Sequence, residues 1–320
     1  MSSFFPDFKY RELLLTRGVQ NKILNLRTPQ LKSIYDAFFN NVARMSSFCL
    51  FPSVIATDTI QKQLWRDYAV FKVTGKLTLR RTRFNASTER AIGQELAKLQ
   101  KAQRKRLNTG KENPDRVRMK FGVGEINKML SHQYGSAQSM QAILFSVILE
   151  SYMAFETVAF DSWIVALDYG PSDWCANVML KSREFKKGSN FDPTVLPSNG
   201  LPDLRKKFGS FLRDADKVAF AKLGFIRFWF KTSSKGASDT IFKRHPYIHA
   251  LAAVRNVVAH KAGKADEKYV KAVENFSELN SAVRNQIIHL DGEIVRKLSN
   301  SAIALGQDLI TFVDDVITPP

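Results

Sequence analysis

The densest apolar stretch of the chain lies between residues 139 and 166 (SMQAILFSVILESYMAFETVAFDSWIVA), where hydrophobic side chains fall almost all round a helical wheel. A helix without a polar face is one that neighbours cover, so the pattern predicts a long central bundle helix, stopped by Asp168-Tyr169-Gly170-Pro171. Residues up to about 201 then lose periodicity, with Gly188, Pro193, Pro197, Gly200 and Pro202 marking a loop-rich insertion. Residues 201–231 read as one or two basic helices. Their run Phe225-Ile226-Arg227-Phe228-Trp229-Phe230 fits a core face better than a base-stacking strip, although its chemistry allows both. Residues 233–238 form a turn, and His245-Pro246 opens a helix that reaches about Ala262, with Gly263 as its cap. Asp266 and Glu267 start another helix carrying Tyr269, Val273 and Phe276. Apolar runs at 286–290 and 293–295 flank Asp291-Gly292, which predicts a hairpin, and a last helix spans about 302–316.

The N-terminal part reads differently. Residues 67–84 (DYAVFKVTGKLTLRRTRF) place Thr74-Gly75 between two runs rich in aromatic, Val, Thr and Leu residues, the pattern of a hairpin. Asn85-Ala86-Ser87-Thr88-Glu89 supplies cap residues for a helix continuing past Lys98 to Arg106. Residues 101–120 are dense in charge, contain Gly110 and Pro114, and read as an exposed basic loop or a linker. The fold class is therefore mainly α. A basic α(+β) region, residues 1–130, precedes a helical bundle, residues 131–320, that carries a small β-hairpin near its C-terminus and an insertion at about 168–244.

Composition narrows the partners. The chain carries 48 Lys and Arg against 30 Asp and Glu, a formal net charge of +18. The excess is lopsided: residues 1–130 hold 25 basic and 10 acidic side chains, while the remaining 190 residues hold 23 and 20. A region that basic attracts polyanions, which points to nucleic acid. Arg80, Arg81 and Arg83 at the end of the expected hairpin, and Arg104, Lys105 and Arg106 in the charged stretch, are the candidate phosphate contacts. Cys49 and Cys175 form no CxxC pair, which suits a reducing cytoplasm and argues against structural zinc. The opening residues carry no long apolar run of a signal peptide, and Glu150 and Glu156 interrupt the apolar stretch, so a soluble cytoplasmic protein without a membrane span is expected. No GxxxxGK[ST] loop and no HExxH occur, Gly122-Val123-Gly124 lacks the rest of a dinucleotide fingerprint, and five scattered histidines suggest no metal geometry. The sequence asks for no metal and no cofactor.

Chemistry concentrates in Arg255-Asn256-Val257-Val258-Ala259-His260, followed by Lys261-Ala262-Gly263. His260 can move a proton near neutral pH, Arg255 offers a permanent planar charge to a phosphate, and Asn256 can orient either one. Lys261 adds a charge beside them. The Arg-to-His spacing occurs twice more. Pro246 separates Arg244 from His249, and Arg284-Asn285 to His289 runs into the expected hairpin. Only the first combines spacing, amide, apolar helical lead and a glycine end. A histidine at such an end can also serve merely to satisfy the last carbonyls and the helix dipole.

The motif resembles the Arg-X4-6-His signature of HEPN domains, in which Asn, Asp or His usually follows the arginine. The resemblance covers about residues 135–318. It implies a HEPN-like all-α bundle, a homodimer whose two motifs share one cleft, and metal-independent endoribonuclease activity of the kind found in toxin–antitoxin and antiviral systems. It further implies that His260 acts as general acid/base on the RNA 2′-hydroxyl, that Arg255 holds the scissile phosphate and that Asn256 fixes their geometry. The family often sets an acidic residue opposite the arginine; Glu156 is the nearest match and Glu150 the second. An antitoxin or sensor protein would restrain such an enzyme, and a non-catalytic nucleic-acid-binding or scaffolding protein is the alternative on the same fold.

Overall fold

The structure is a computed structural model that describes residues 25–76, 84–108, 134–181, 222–279 and 283–319, together with Gly209. The described helices are α1 (Pro29–Thr74), α2 (Ala86–Asn108), α3 (Tyr134–Tyr169), α4 (Ser172–Lys181), α5 (Leu223–Ser233), α6 (Asp239–Arg244), α7 (Tyr247–Lys261), α8 (Glu267–Val273) and α9 (Gly292–Ile317). Among the described residues the fold is helical almost throughout, as the periodicity required. The chain divides into two compact units, one of Met1–Arg11 and Ser47–Gln138, the other of Glu12–Ser46 and Ser139–Pro320. Both α1 and α3 contribute residues to each of these units.

In the first unit the described core is small: Ala69 and Val70 of α1 pack with Ile92 of α2, joined by Phe84 and Leu96. Asn85 starts α2 by accepting the Thr88 amide on its side chain at 2.9 Å, the cap expected from its sequence. The hairpin expected around Thr74-Gly75 is not formed. Residues 67–74 are the last turns of α1, and Gly75 ends the helix at φ +68 with its amide on the Phe71 carbonyl. Tyr68, Val70 and Phe71 suit a strand by propensity, but helical spacing is what brings Ala69 and Val70 together against Ile92. The second arm of that expected hairpin lies outside the described residues.

In the second unit α3 is the axis. Leu144, Val147, Ile148, Ser151, Tyr152, Phe155, Val158, Ala159, Ser162 and Trp163 are all buried and form one broad face of the helix, while Met153 and Thr157 on the other side are exposed; only residues 162–168 are buried all round. The first turns of α1, together with α7 and α9, supply part of that cover. Ser151 hydrogen-bonds Ser299 of α9 at 2.8 Å, and Gly306 of α9 lets that helix approach so closely that an added Cβ would meet Phe38 at 2.9 Å and Val158 at 3.0 Å. Toward its C-terminal end Trp163 donates to the Ser233 hydroxyl at 3.0 Å and packs on Trp229, which seats α5. Thus Ile226 and Phe230 of the aromatic run are core, while Phe225 and Phe228 face outward. Residues 139–169 are also long and apolar enough to cross a membrane by length and composition.

The hairpin expected at Asp291-Gly292 is likewise not formed. Asp291 instead caps α9, accepting the Ile294 amide on its carboxylate at 2.7 Å and the Val295 amide on its carbonyl at 3.1 Å. The pair Asp-Gly suits a two-residue turn and a helix start equally. The buried run Ile294, Val295, Leu298, Ala302, Leu305, Leu309 and Val313 decides for the helix, which begins ten residues before the expected 302. Residues 286–290 make one antiparallel bridge, Ile287 to Lys264, in place of a strand pair. The irregular insertion also holds a helix, α4, seated by the Asn177 amide on the Ser233 carbonyl at 3.1 Å.

The two ends of this unit are tied together at Asp314. Its carboxylate, nearly inaccessible on α9, accepts the Arg27 amide at 2.9 Å and the Thr28 amide at 2.8 Å just ahead of α1, with the Arg27 guanidinium at 3.5 Å. Burial alone would raise its pKa, but these donors outweigh burial and hold the carboxyl below the usual aspartate range. Asp314→Asn should therefore lower stability at pH 7 by about 2–3 kcal/mol, read from chemical denaturation. Because the native pKa lies below the unfolded one, the contribution is complete above the unfolded value of about 4 and is lost as pH falls through the native value. The gap between wild type and variant should close only in acid; a gap unchanged down to full protonation would mean the carboxylate charge is not what joins the two ends.

Candidate active site

The geometry of α7 follows from its boundaries. Pro246 caps it, and His245 at φ −121, ψ 63 breaks it from α6. Arg244 therefore belongs to another helix than His249, and it turns to Asp308 at 3.6 Å, as does His245 at 2.9 Å. Arg284 and His289 lie on the non-helical segment beside the Ile287 bridge, with Arg284 facing Glu267 at 3.6 Å. Only Arg255 and His260 share one helix, as the sequence required.

Ile248, Ala250, Leu251, Val254 and Val257 bury one side of α7, while Asn256, His260 and Lys261 are exposed and Arg255 lies between. Five residues advance a helix so that the two Cα positions stand about 140° apart, so contact depends on the reach of the side chains. Arg255 provides it. Its Nη1 donates to the Asn256 side-chain oxygen at 3.2 Å and lies 3.4 Å from His260 Nε2. An arginine nitrogen can only donate, so His260 Nε2 is the acceptor in that contact. No partner engages Nε or Nη2 of Arg255 among the described residues, so its two-pronged edge is open to an oxyanion.

The helix end is built to stay in place. Ala262 adopts left-handed geometry (φ 49, ψ 37), Gly263 follows at φ +78, and the Gly263 amide donates back to the Val257 carbonyl at 2.9 Å. Gly263 is required twice over, since an added Cβ would also lie 2.9 Å from the Phe145 ring of α3. The Ile288 amide donates to the Gly263 carbonyl at 2.8 Å, and the Ala265 amide to Gln286 at 2.8 Å. His260 thus projects from a helix terminus fastened on two sides.

Across from α7, α3 contributes two polar groups to a wall that is otherwise apolar. The Arg255 guanidinium lies over the Tyr152 ring, 5.2 Å from its centroid. Glu156, one turn further along and half-buried, has its pKa raised by burial, with the Arg255 charge pulling it back down. The attraction between them is electrostatic and longer than a contact ion pair. Glu150, the second acidic candidate, is committed elsewhere: it pairs with Arg44 at 3.2 Å. Tyr152 went unread in the sequence. Its signal was its place four residues before Glu156, on the same helix face as the expected partner of Arg255.

Of the candidate phosphate contacts, Lys261 is exposed beside His260, and Lys105 is exposed on α2. Arg104 and Arg106 share α2 with Lys105, while Arg80, Arg81 and Arg83 lie outside the described residues. Among the described residues no group of three His, Cys, Asp or Glu side chains converges to hold a metal. No protein-family model, no curated protein and no solved structure matches the chain.

Glu156→Gln gives a direct check on this electrostatic arrangement. A carboxyl whose native pKa is raised favours the protonated form, so it costs stability as pH climbs through its unfolded value toward its native one. The variant should be more stable than wild type near neutral pH, with the difference vanishing in acid. Thermal melts across that range would read it. A variant less stable at neutral pH would show that attraction to Arg255 outweighs burial.

Proposed function

We propose that the chain is an endoribonuclease that cuts RNA without a metal ion, by attack of a 2′-hydroxyl on the adjacent phosphodiester. The observation that carries this reading is the pairing of Arg255 and His260 on one fastened helix end, with no partner on the Nε and Nη2 donors of the arginine among the described residues. Arg255 binds the scissile phosphate through that edge and stabilises the charge that builds in the transition state. His260 Nε2, released from Arg255 as the phosphate arrives, takes the proton from the 2′-hydroxyl. The 2′-oxygen bonds to phosphorus, the bond to the 5′-oxygen breaks, and that oxygen takes a proton. The products are a 2′,3′-cyclic phosphate and a free 5′-hydroxyl. Asn256 holds Arg255 in place, and Lys261 adds a phosphate contact at the mouth of the site.

The basic N-terminal region, with Lys105 and its neighbours, grips the RNA. A homodimer would set two such helix ends facing one substrate, and an antitoxin or sensor protein would hold the enzyme off in a cytoplasmic toxin or antiviral system. The second reading is a nucleic-acid-binding or scaffolding protein that performs no chemistry. It is favoured by the engagement of Nε2 with Arg255, since that nitrogen must be freed before it can accept a proton.

Cleavage of labelled RNA in EDTA, compared between wild type and His260→Ala, separates the two. Loss of a general base costs about 10²–10⁴-fold, and wild-type products should end in 2′,3′-cyclic phosphate. Equal cleavage by both proteins would remove His260 from the chemistry. RNA binding without cleavage by wild type would establish the second reading.

A further inference from the structure

Among the polar groups of the second unit, Tyr152 stands out as one whose chemistry the cleavage scheme leaves unused. It lies in the middle of α3, is 2% exposed, and has its phenol pushed up to about 12 by burial and by the neighbouring Glu156, against the opposing pull of Arg255 and the Leu223 backbone. Such a phenol stays protonated at neutral pH. What it offers is the face of its ring. That face is covered by the Arg255 guanidinium, and the ring is itself braced by Phe155 in an edge contact at 6.2 Å.

We propose that Tyr152 is a positioning residue for anion recognition: its ring is the platform that holds the plane of the Arg255 guanidinium and leaves the Nε–Nη2 edge available to a phosphodiester. An arginine has several rotatable bonds and loses affinity for a bidentate ligand when its fork wanders. Here three contacts fix it. The ring takes one face, the Asn256 side-chain oxygen takes one hydrogen of Nη1, and His260 Nε2 takes the other until the phosphate arrives. The remaining three N–H groups include the pair whose spacing matches two phosphate oxygens. Cation–π attraction is strongest for an electron-rich ring, which is what a neutral tyrosine supplies. Leu223, whose backbone lies within reach of the phenol, is the first residue of α5, so the ring also ties the end of the insertion to the site.

The inference rests on the nuclease reading for its substrate but not for its test. Inorganic phosphate is the probe. Its affinity is measured by NMR on the full-length protein together with hydrogen exchange of the Arg255 Nε–H. Tyr152→Phe keeps the ring and should hold both within about threefold of wild type, whereas Tyr152→Leu should weaken phosphate binding about tenfold and expose Nε–H to faster exchange. Because Leu at a buried site can unfold the bundle, a second series replaces Tyr152 by phenylalanines carrying successive ring fluorines, which empty the ring face at nearly constant shape. Phosphate affinity should fall stepwise with fluorination. A flat fluorine series would overturn the proposal, as would a folded leucine variant with wild-type affinity and exchange. Failure of the nuclease reading looks different: wild type would not cleave RNA, yet the fluorine series would still slope. If RNA is cut, the same series should lower kcat/KM while leaving the pH profile set by His260 in place.

Discussion

The buried face of α3 must be covered by other helices, and the second unit is organised around that requirement. The first turns of α1, together with α7 and α9, lie against it, with Gly306 and Gly263 at points where a methyl group would collide with Phe38, Val158 or Phe145. Polar side chains on such a helix are expensive unless matched, and several of them have a partner. Ser151 meets Ser299, Trp163 meets Ser233, and Tyr152 and Glu156 face the cation of Arg255. The packing of α3 therefore does more than stabilise. It determines that Arg255 of α7 is drawn over the core and which exposed groups stand beside it.

The consequence is a division of labour along a single helix end. Arg255 is anchored by a buried ring and directed by Asn256, while His260 and Lys261 remain in solvent at a terminus fixed by left-handed residues and by two amides of the neighbouring segment. A precise cation beside an accessible imidazole is what phosphate chemistry asks of a protein, and it is absent from the other two Arg-to-His spacings. There Arg244 pairs with Asp308 and Arg284 with Glu267. Spacing alone did not separate these cases; helical continuity did.

Much of this was readable from residues. The extent of α3, the proline-marked start of α7, the glycine at its end and the Asn85 cap all follow from local chemistry that tertiary structure had no reason to override. Both hairpins misread a local signal that packing outvoted. Thr74-Gly75 and Asp291-Gly292 are turn dipeptides in isolation, but Gly75 closes a helix whose Ala69 and Val70 are buried, and Asp291 opens one whose apolar spacing runs unbroken to Val313. Glu156 was singled out because the resemblance sets an acidic residue opposite the arginine, and the charge of Arg255 reaches it. Tyr152 was not, since an aromatic residue in such a helix reads as filling. Its role emerges only when the partner helix places a charge on its face, which no single stretch of sequence contains.

The central claim is that Arg255 and His260 act together on an RNA phosphodiester. The most direct measurement follows the imidazole signals of all five histidines while a short RNA carrying a 2′-deoxy residue at the cutting position, and so unable to be cleaved, is titrated in. The account predicts a saturable shift at His260, abolished in Arg255→Ala, with His245 and His249 nearly still. A protein in which only the other histidines respond, or in which His260 responds equally without Arg255, would contradict it.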